Sequence, residues 1–253
     1  MGQIAHHCAI CYVSKKCFRG CGVRESEFGN SLLHRGWLSR TPSDFQQALF
    51  PICRLRRFAD GETLYVAGDE PGGIFGICRG SVAVSIPLDT SEMHFVHLYQ
   101  PGIWFGEASI LTGHPRRISA VARTDLTVAY APRGGLLTLL NGHPEWWQML
   151  GRLSVETNDF MIVSGDDLMI RDSERRCIAI ILRICGCRFE DPDVDDSVTA
   201  RISHEELANM ANLARNTVGE ILHRLSAEGH VELGYRTVKV RNSDVLRARV
   251  AQA

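Results

Sequence analysis

The sequence predicts an α+β protein in three parts: an N-terminal β jelly roll, one long helix and a C-terminal winged helix-turn-helix. Three observations carry this prediction. Short β-rich runs between about Arg56 and Pro132 are separated by Gly, Pro and Asp. Apolar residues after Pro144 recur at three- and four-residue steps. From Ile202 to Val240 the chain reads as a capped helix, a tight turn, a second helix and a hairpin. The expected boundaries are a cysteine-containing arm over 1–37, the jelly roll over 38–143, a dimerisation helix over 144–171 and the winged domain over 172–253. A chain of 253 residues has ample length for cores of this number.

The runs Thr63–Val66, Ile74–Cys78, Ser81–Ile86, His94–Tyr99, Ile118–Ala122 and Leu126–Ala131 are the expected strands, with Gly61, Gly68, Gly72, Gly73, Gly80, Gly102, Gly106 and Gly113 at the joints. Several short strands at close spacing with glycine turns indicate a sandwich or jelly roll. Trp146, Leu150, Leu153, Thr157, Phe160, Met161, Ser164 and Leu168 then trace a helical stripe. Such a stripe needs cover. Its own copy in a two-fold dimer is one solution; packing against the jelly roll alone is the other. Gly165, Asp166 and Asp167 are expected to weaken or bend the last turns, and Trp146-Trp147 to clamp jelly roll to helix.

Ser203-His-Glu-Glu206 is a capping box, in which hydroxyl and carboxylate satisfy each other's backbone amides. Leu207, Ala208, Met210 and Ala211 are the buried positions of the helix it starts, and Asn212-Leu213 is the turn. The second helix runs from about Ala214, buries Val218, Ile221, Leu222 and Leu225, and stops at Gly229. Val231–Leu233 and Thr237–Val240 form the wing around Gly234-Tyr235. The outward face of the second helix carries Arg215, Asn216, Glu220 and His223. Arg and Asn can each make paired hydrogen bonds to a base edge. Thr217, Arg201, Arg236, Lys239 and Arg241 are candidates for phosphate contacts, which set register, and Ser203 completes the set. An ordinary solvated amphipathic helix pair has the same periodicity.

Net charge is −1, so no global basic field announces a nucleic-acid partner. From Ser197 to Ala253, eight Lys/Arg face six Asp/Glu. Glu190, Asp191, Asp193, Asp195 and Asp196 form an acidic loop just before. No apolar run suits a membrane span, and no secretion signal is visible. Nine cysteines without such a signal fit reduced thiols or metal ligands in a cytoplasmic protein. Cys177 reads as a core residue, and Cys185 and Cys187 stand too close for the usual dithiol motif. No paired carboxylate, nucleophile elbow or metalloprotease motif occurs in a suitable context, which argues against an enzyme.

Phe58-Ala-Asp-Gly-Glu-Thr-Leu-Tyr65, Ala67-Gly-Asp69, Gly80-Ser-Val-Ala-Val84, Phe105-Gly-Glu-Ala108 and Arg215-Asn-Thr-Val-Gly219, in that order, resemble the Crp/Fnr superfamily of bacterial transcription regulators from about Leu38 to the end. The resemblance implies a cyclic-nucleotide-binding-type jelly roll and a homodimer reading a two-fold site in double-stranded DNA, with RNA polymerase as a further partner. It also places an effector against Gly106, Glu107, Ala108 and Ser109, with Arg116 or Arg117 downstream. Backbone amides at a helix start and an Arg fork suit a phosphate. A Glu107–Arg117 salt bridge across an empty pocket is the alternative.

Specific departures argue against cyclic AMP. Ile118 follows Arg117 where cyclic-AMP readers carry Ser, and Ser119 takes over only if the loop shifts by one position. The matched purine-contacting positions fall near Met161 and Ile162, which offer no hydrogen bonds. A different small anionic effector, or none, is expected. Cys8, Cys11 and Cys17 resemble the cysteine spacing of the iron–sulfur branch and Cys21 adds a fourth thiolate, so the four suit a [4Fe–4S] cluster, or zinc with His6 and His7. That branch's fourth cysteine matches Ala129 here; Cys53 or Cys78 are candidate substitutes, and an unmetallated arm is the other reading. Glu220 stands where several members place Arg, so the target sequence differs from theirs. A ligand- or redox-sensing module acting on a protein partner is the competing function.

Overall fold

The computed structural model describes residues 29–87, 93–189 and 199–251. Three short helices, α1 (Gly29–His34), α2 (Gly36–Ser39) and α3 (Ser43–Leu49), precede eight strands. One four-stranded antiparallel sheet has the order β1-β8-β3-β6, formed by Arg54–Phe58, Leu126–Ala131, Ile74–Arg79 and Trp104–Phe105. The other, β2-β7-β4-β5, consists of Thr63–Tyr65, Ser119–Ala122, Val82–Pro87 and Met93–Tyr99. Helix α4 (Ala108–Thr112) lies between β6 and β7. Tyr65, Phe75, Ile77, Val82, Val84, Tyr99, Phe105, Leu126 and Val128 fill the space between the sheets, as period-two alternation requires.

All six expected strands are present. Two more escaped the sequence reading. Strand β1 is Arg-Leu-Arg-Arg-Phe, too polar to read as half-buried, and is held by its register with β8 from Arg54↔Tyr130 to Phe58↔Leu126. Arg56 lies 3.9 Å over the Tyr130 ring, which lends the polar strand a side-chain tie. Strand β6 is only two residues long.

Beneath the sheets, Leu32, Trp37, Leu38, Phe45 and Leu49 pack against α5 (Arg133–Gly142) and the first turns of α6 (Trp147–Met169). The packed body therefore reaches back to Leu32, ahead of the boundary expected at residue 38. The Trp37 indole N–H donates to the Met149 carbonyl at 2.7 Å. Trp146 meets Phe45 edge-on and stacks on His143, so it ties α3 to the long helix rather than clamping the strands directly.

Helix α6 runs unbroken for 23 residues. The expected weakening at Gly165, Asp166 and Asp167 does not occur, because Asp167 is fully buried as the acceptor of an ion network. Its two oxygens take Arg183 Nε at 2.9 Å and Arg188 Nε at 3.1 Å. Arg183 also donates to His97 Nδ1 at 2.9 Å. Burial, and then the Arg183 charge, push the His97 imidazole down to about 3, so it is a neutral acceptor. This network joins β5, the end of α6 and α7 (Ser173–Ile184).

Helix α7 is capped by Asp172, whose carboxylate accepts from the Arg175 amide. Its run from Cys177 to Ile184 is buried throughout and forms the spine of the C-terminal core. Around it stand β9 (Thr199–Arg201), α8 (His204–Ala211), α9 (Arg215–Ala227), β10 (Val231–Gly234), β11 (Thr237–Val240) and α10 (Ser243–Ala251). The wing is a three-stranded sheet, β10-β11-β9. Gln100 ties the jelly roll to this domain, donating to the carbonyls of Ile184 at the end of α7 at 2.9 Å and of Thr199 in β9 at 3.4 Å. No helix among the described residues is long and apolar enough to cross a membrane.

Candidate nucleic-acid interface and sensor site

The helix-turn-helix forms as its residues dictate. The Ser203 hydroxyl accepts from the Glu206 amide at 3.2 Å, and Glu206 Oε2 takes the Ser203 amide at 2.8 Å. Leu207, Ala208, Met210 and Ala211 are all buried, and Asn212 ends the helix in the left-handed region (φ 48°), which Asn tolerates. Helix α9 buries Val218, Ile221, Leu222 and Leu225. Glu228 is its C-cap, and Gly229 (φ 75°) is the left-handed residue after it. With that face spent, Arg215, Asn216, Glu220 and His223 are exposed together, and Thr217 is half-buried.

Other candidates are differently placed. The Ser203 hydroxyl is committed to the cap and to Glu206 Oε2. Arg201 is not turned freely to solvent: it binds Asp60 at 2.7 Å and the Arg123 carbonyl at 3.1 Å. Arg236 takes the left-handed backbone (φ 52°) at the tip of the wing, where the sequence pointed to Gly234. Gly234 pairs with Thr237 instead, so the turn is Tyr235-Arg236. Lys239 stands opposite Glu232 on the wing, and Arg241 pairs with that same Glu232. Arg215 and Arg236 line one hollow of about 200 Å³ with His204, Glu205 and Thr237. The sequence reading missed His204, whose ring lies 6.4 Å from that of His223. Its imidazole is lowered by burial, then by His223 and Arg215.

In the sensor, the two arginines part company. Arg117 is exposed. Arg116 is buried, and donates to the Gly106 carbonyl at 2.8 Å and the Gly73 carbonyl at 2.6 Å. Its guanidinium lies 4.4 Å over the Tyr65 ring. A Cβ on Gly72 would stand 2.6 Å from this guanidinium and one on Gly106 2.8 Å, so glycine at both leaves it room. The Glu107–Arg117 salt bridge is therefore not formed. Glu107 is buried, and burial raises its carboxyl above the usual range against hydrogen bonds from its own backbone, the Thr157 hydroxyl and Gly106, and against the Arg116 charge.

Ser109 and Ser119 are buried, and Ala108 is exposed. The Ser119 hydroxyl accepts from the Ala67 amide at 3.0 Å. On α6 the residues facing the sensor are Thr157 and Phe160, the latter packed on His97 and Tyr99. Met161 and Ile162, the matched purine positions, are exposed on another face.

Cys8, Cys11, Cys17 and Cys21 lie outside the described residues, as does the acidic loop at 190–196. Cys53 and Cys78 are poor substitutes as ligands: burial raises both thiols, that of Cys78 to about 12. Cys177, Cys185 and Cys187 are buried and in no disulfide among the described residues. Among the described residues no cluster of three or more His, Cys, Asp or Glu is arranged to hold a metal ion.

A jelly roll, a long helix and a winged helix-turn-helix in one chain are the architecture of a transcription regulator. Comparison with known proteins agrees. The family model "Cyclic nucleotide-binding domain" matches residues 55–143, and the model "Crp-like helix-turn-helix domain" matches residues 175–249. The cyclic AMP receptor protein of Thermus thermophilus is 28% identical over 208 residues, 81% of this chain and 88% of that protein. The global nitrogen regulator of Synechococcus elongatus is 26% identical over 195 residues, 75% of this chain and 86% of that protein. A CRP-family transcriptional regulator from Thermus thermophilus has the same fold, with a TM-score of 0.60 at 23% identity, over 78% of this chain and 97% of that chain. The chain belongs to the Crp/Fnr superfamily; it is a Crp-like transcription regulator with a helix-turn-helix domain, not an enzyme.

Proposed function

We propose that the protein is a homodimeric, sequence-specific DNA-binding regulator whose jelly roll responds to a small anionic effector. The observation that carries the reading is the split character of α9: one face is sealed in the C-terminal core, and the other presents Arg215, Asn216, Glu220 and His223. Arg215 and Asn216 are the base readers; Thr217, Arg236 and Lys239 supply backbone contacts, and Arg201 joins them once released from Asp60. RNA polymerase contact belongs to the same reading.

The dimer is supported by α6. Val155, Ile162 and Met169 recur every seventh residue and are 61%, 60% and 80% exposed, flanked by exposed Met161 and Leu168. A seven-residue apolar row on a long helix is the seam of a helix pair, and a second copy supplies the matching row. The effector is supported by two features of the sensor interior. Among the described residues, the Tyr65 hydroxyl is buried with no hydrogen-bond partner, and Arg116 is a buried cation held by carbonyls and a ring rather than by a salt bridge. Ile118, where cyclic-AMP readers carry Ser, argues against cyclic AMP, whereas Met161 and Ile162 lie on another face and do not bear on it.

Titration of a duplex against the full chain tests the reading. Specific binding whose affinity falls steeply with salt is expected, and Arg215→Ala should cost about 1–3 kcal/mol and relax one base position. A protein that ignores duplex DNA at every salt concentration is instead a sensor acting on a protein partner.

A further inference from the structure

Asp60, Gly61, Arg123, Arg201 and Arg236 line a cavity of about 230 Å³. The first two lie in the β1–β2 turn, Arg123 follows β7, Arg201 closes β9 and Arg236 tips the wing, so sensor and winged domain meet there. Three guanidinium groups share two carboxylates. Arg201 binds Asp60 at 2.7 Å, and Arg123 binds Glu206. Arg236 stands 3.7 Å from Glu206 Oε2, an oxygen that already takes the Ser203 amide and hydroxyl at 2.8 Å. At that distance Arg236 makes no hydrogen bond to it.

The balance is one positive charge in surplus, in a cavity walled partly by protein. Arg123 Nε is buried without a hydrogen-bond partner among the described residues, and the Arg123 side chain is 24% exposed. Burial and the neighbouring Arg236 and Arg201 charges all disfavour the Arg123 cation, against the help of Asp60. Arg236 is also held in left-handed backbone (φ 52°), a strained conformation for a residue with a side chain. Excess cations, an unused donor and strain at one point are the signs of a site awaiting an anion.

We propose that this junction binds a phosphate-type anion through Arg123, Arg201 and Arg236, in exchange for their bonds to Asp60 and Glu206. Those Arg–carboxylate pairs link sensor to winged domain, so occupancy of the cavity alters how the two dock. The site shares no residue with the sensor interior around Arg116. Two sources offer the same chemistry. One is a free phosphorylated small molecule. The other is a phosphate of bound duplex, because Arg236 also lines the neighbouring hollow that contains Arg215. The second source rests on the DNA-binding reading; the first does not.

Calorimetric titration of the full chain with inorganic pyrophosphate separates them. If the source is free anion, pyrophosphate binds once per chain. Arg123→Met and Arg201→Met each weaken it by about tenfold or more, as loss of a charge-assisted contact should. Asp60→Asn tightens it by removing a competing carboxylate, and Arg152→Met, on the exposed face of α6, leaves it unchanged. If the source is duplex, pyrophosphate does not bind; Arg123→Met then reduces the salt slope by about one on a duplex with long flanks and not on a trimmed one. Pyrophosphate uptake by a protein that binds no duplex sinks the DNA reading and keeps the site. Asp60→Asn carries the test should the arginine variants fail to fold. Pyrophosphate binding indifferent to all these variants overturns the proposal, as does absence of binding with an unchanged duplex slope.

Discussion

Asp167→Asn is the substitution with the largest calculable consequence. The carboxylate is fully buried, the Arg183 side chain is 5% exposed, and the two are 2.9 Å apart. Asn keeps the shape but removes the negative charge, and one of its two oxygen positions becomes a donor facing a guanidinium. Arg183 then retains only a neutral imidazole, His97, as its described side-chain partner. Removing one member of a buried ion pair costs about 3–5 kcal/mol, because the remaining charge stays desolvated. The second pair, to Arg188, lies nearer solvent and adds less. At about 2–4 °C per kcal/mol for a chain of this size, the melting midpoint should fall by about 6–20 °C. Calorimetry read beside tryptophan fluorescence would show whether the whole chain or the winged domain alone melts early. Asp167→Leu with Arg183→Met, which removes both charges, should recover much of the loss. A single variant within about 1 kcal/mol of the parent, or a double variant worse than the single, refutes the account.

Three further outcomes follow from the same geometry. Ser203→Ala should cost about 1 kcal/mol by freeing the Glu206 amide, read by urea denaturation; no measurable change would mean the cap is redundant. His97 is lowered to about 3 in the fold and titrates near 6.5 when unfolded, so between these values only the unfolded chain takes up its proton. Stability should therefore decline as pH falls through that window, by up to about 1.4 kcal/mol per pH unit. His97→Gln, which still offers Arg183 an acceptor, should flatten that slope, and an unaltered profile contradicts the assignment. Ile162→Glu should yield monomers in sedimentation while leaving the monomer folded; a dimer that persists moves the interface off α6.

The strands and the reading helices were legible because their signals are local. Glycine punctuated the sandwich, and α8 and α9 had a capping box and two clean apolar stripes. What escaped depends on distant chain. Strand β1 looks like a basic loop until β8 lies beside it. Asp167 looks like a helix breaker until Arg183 and Arg188 enclose it. The sequence narrowed the sensor cation to Arg116 or Arg117, but only the carbonyls of Gly73 and Gly106 distinguish them. Arg201 read as a candidate phosphate contact, but its ion pair with Asp60, far away in sequence, is visible only in the fold.

Glu206 closes the first turn of α8 and at the same time holds Arg123 of the sensor. Anyone exchanging sensors between relatives would have to transplant that arginine too. A hybrid without it would keep a well-formed head on an unfastened neck, and its output would report the graft, not the signal.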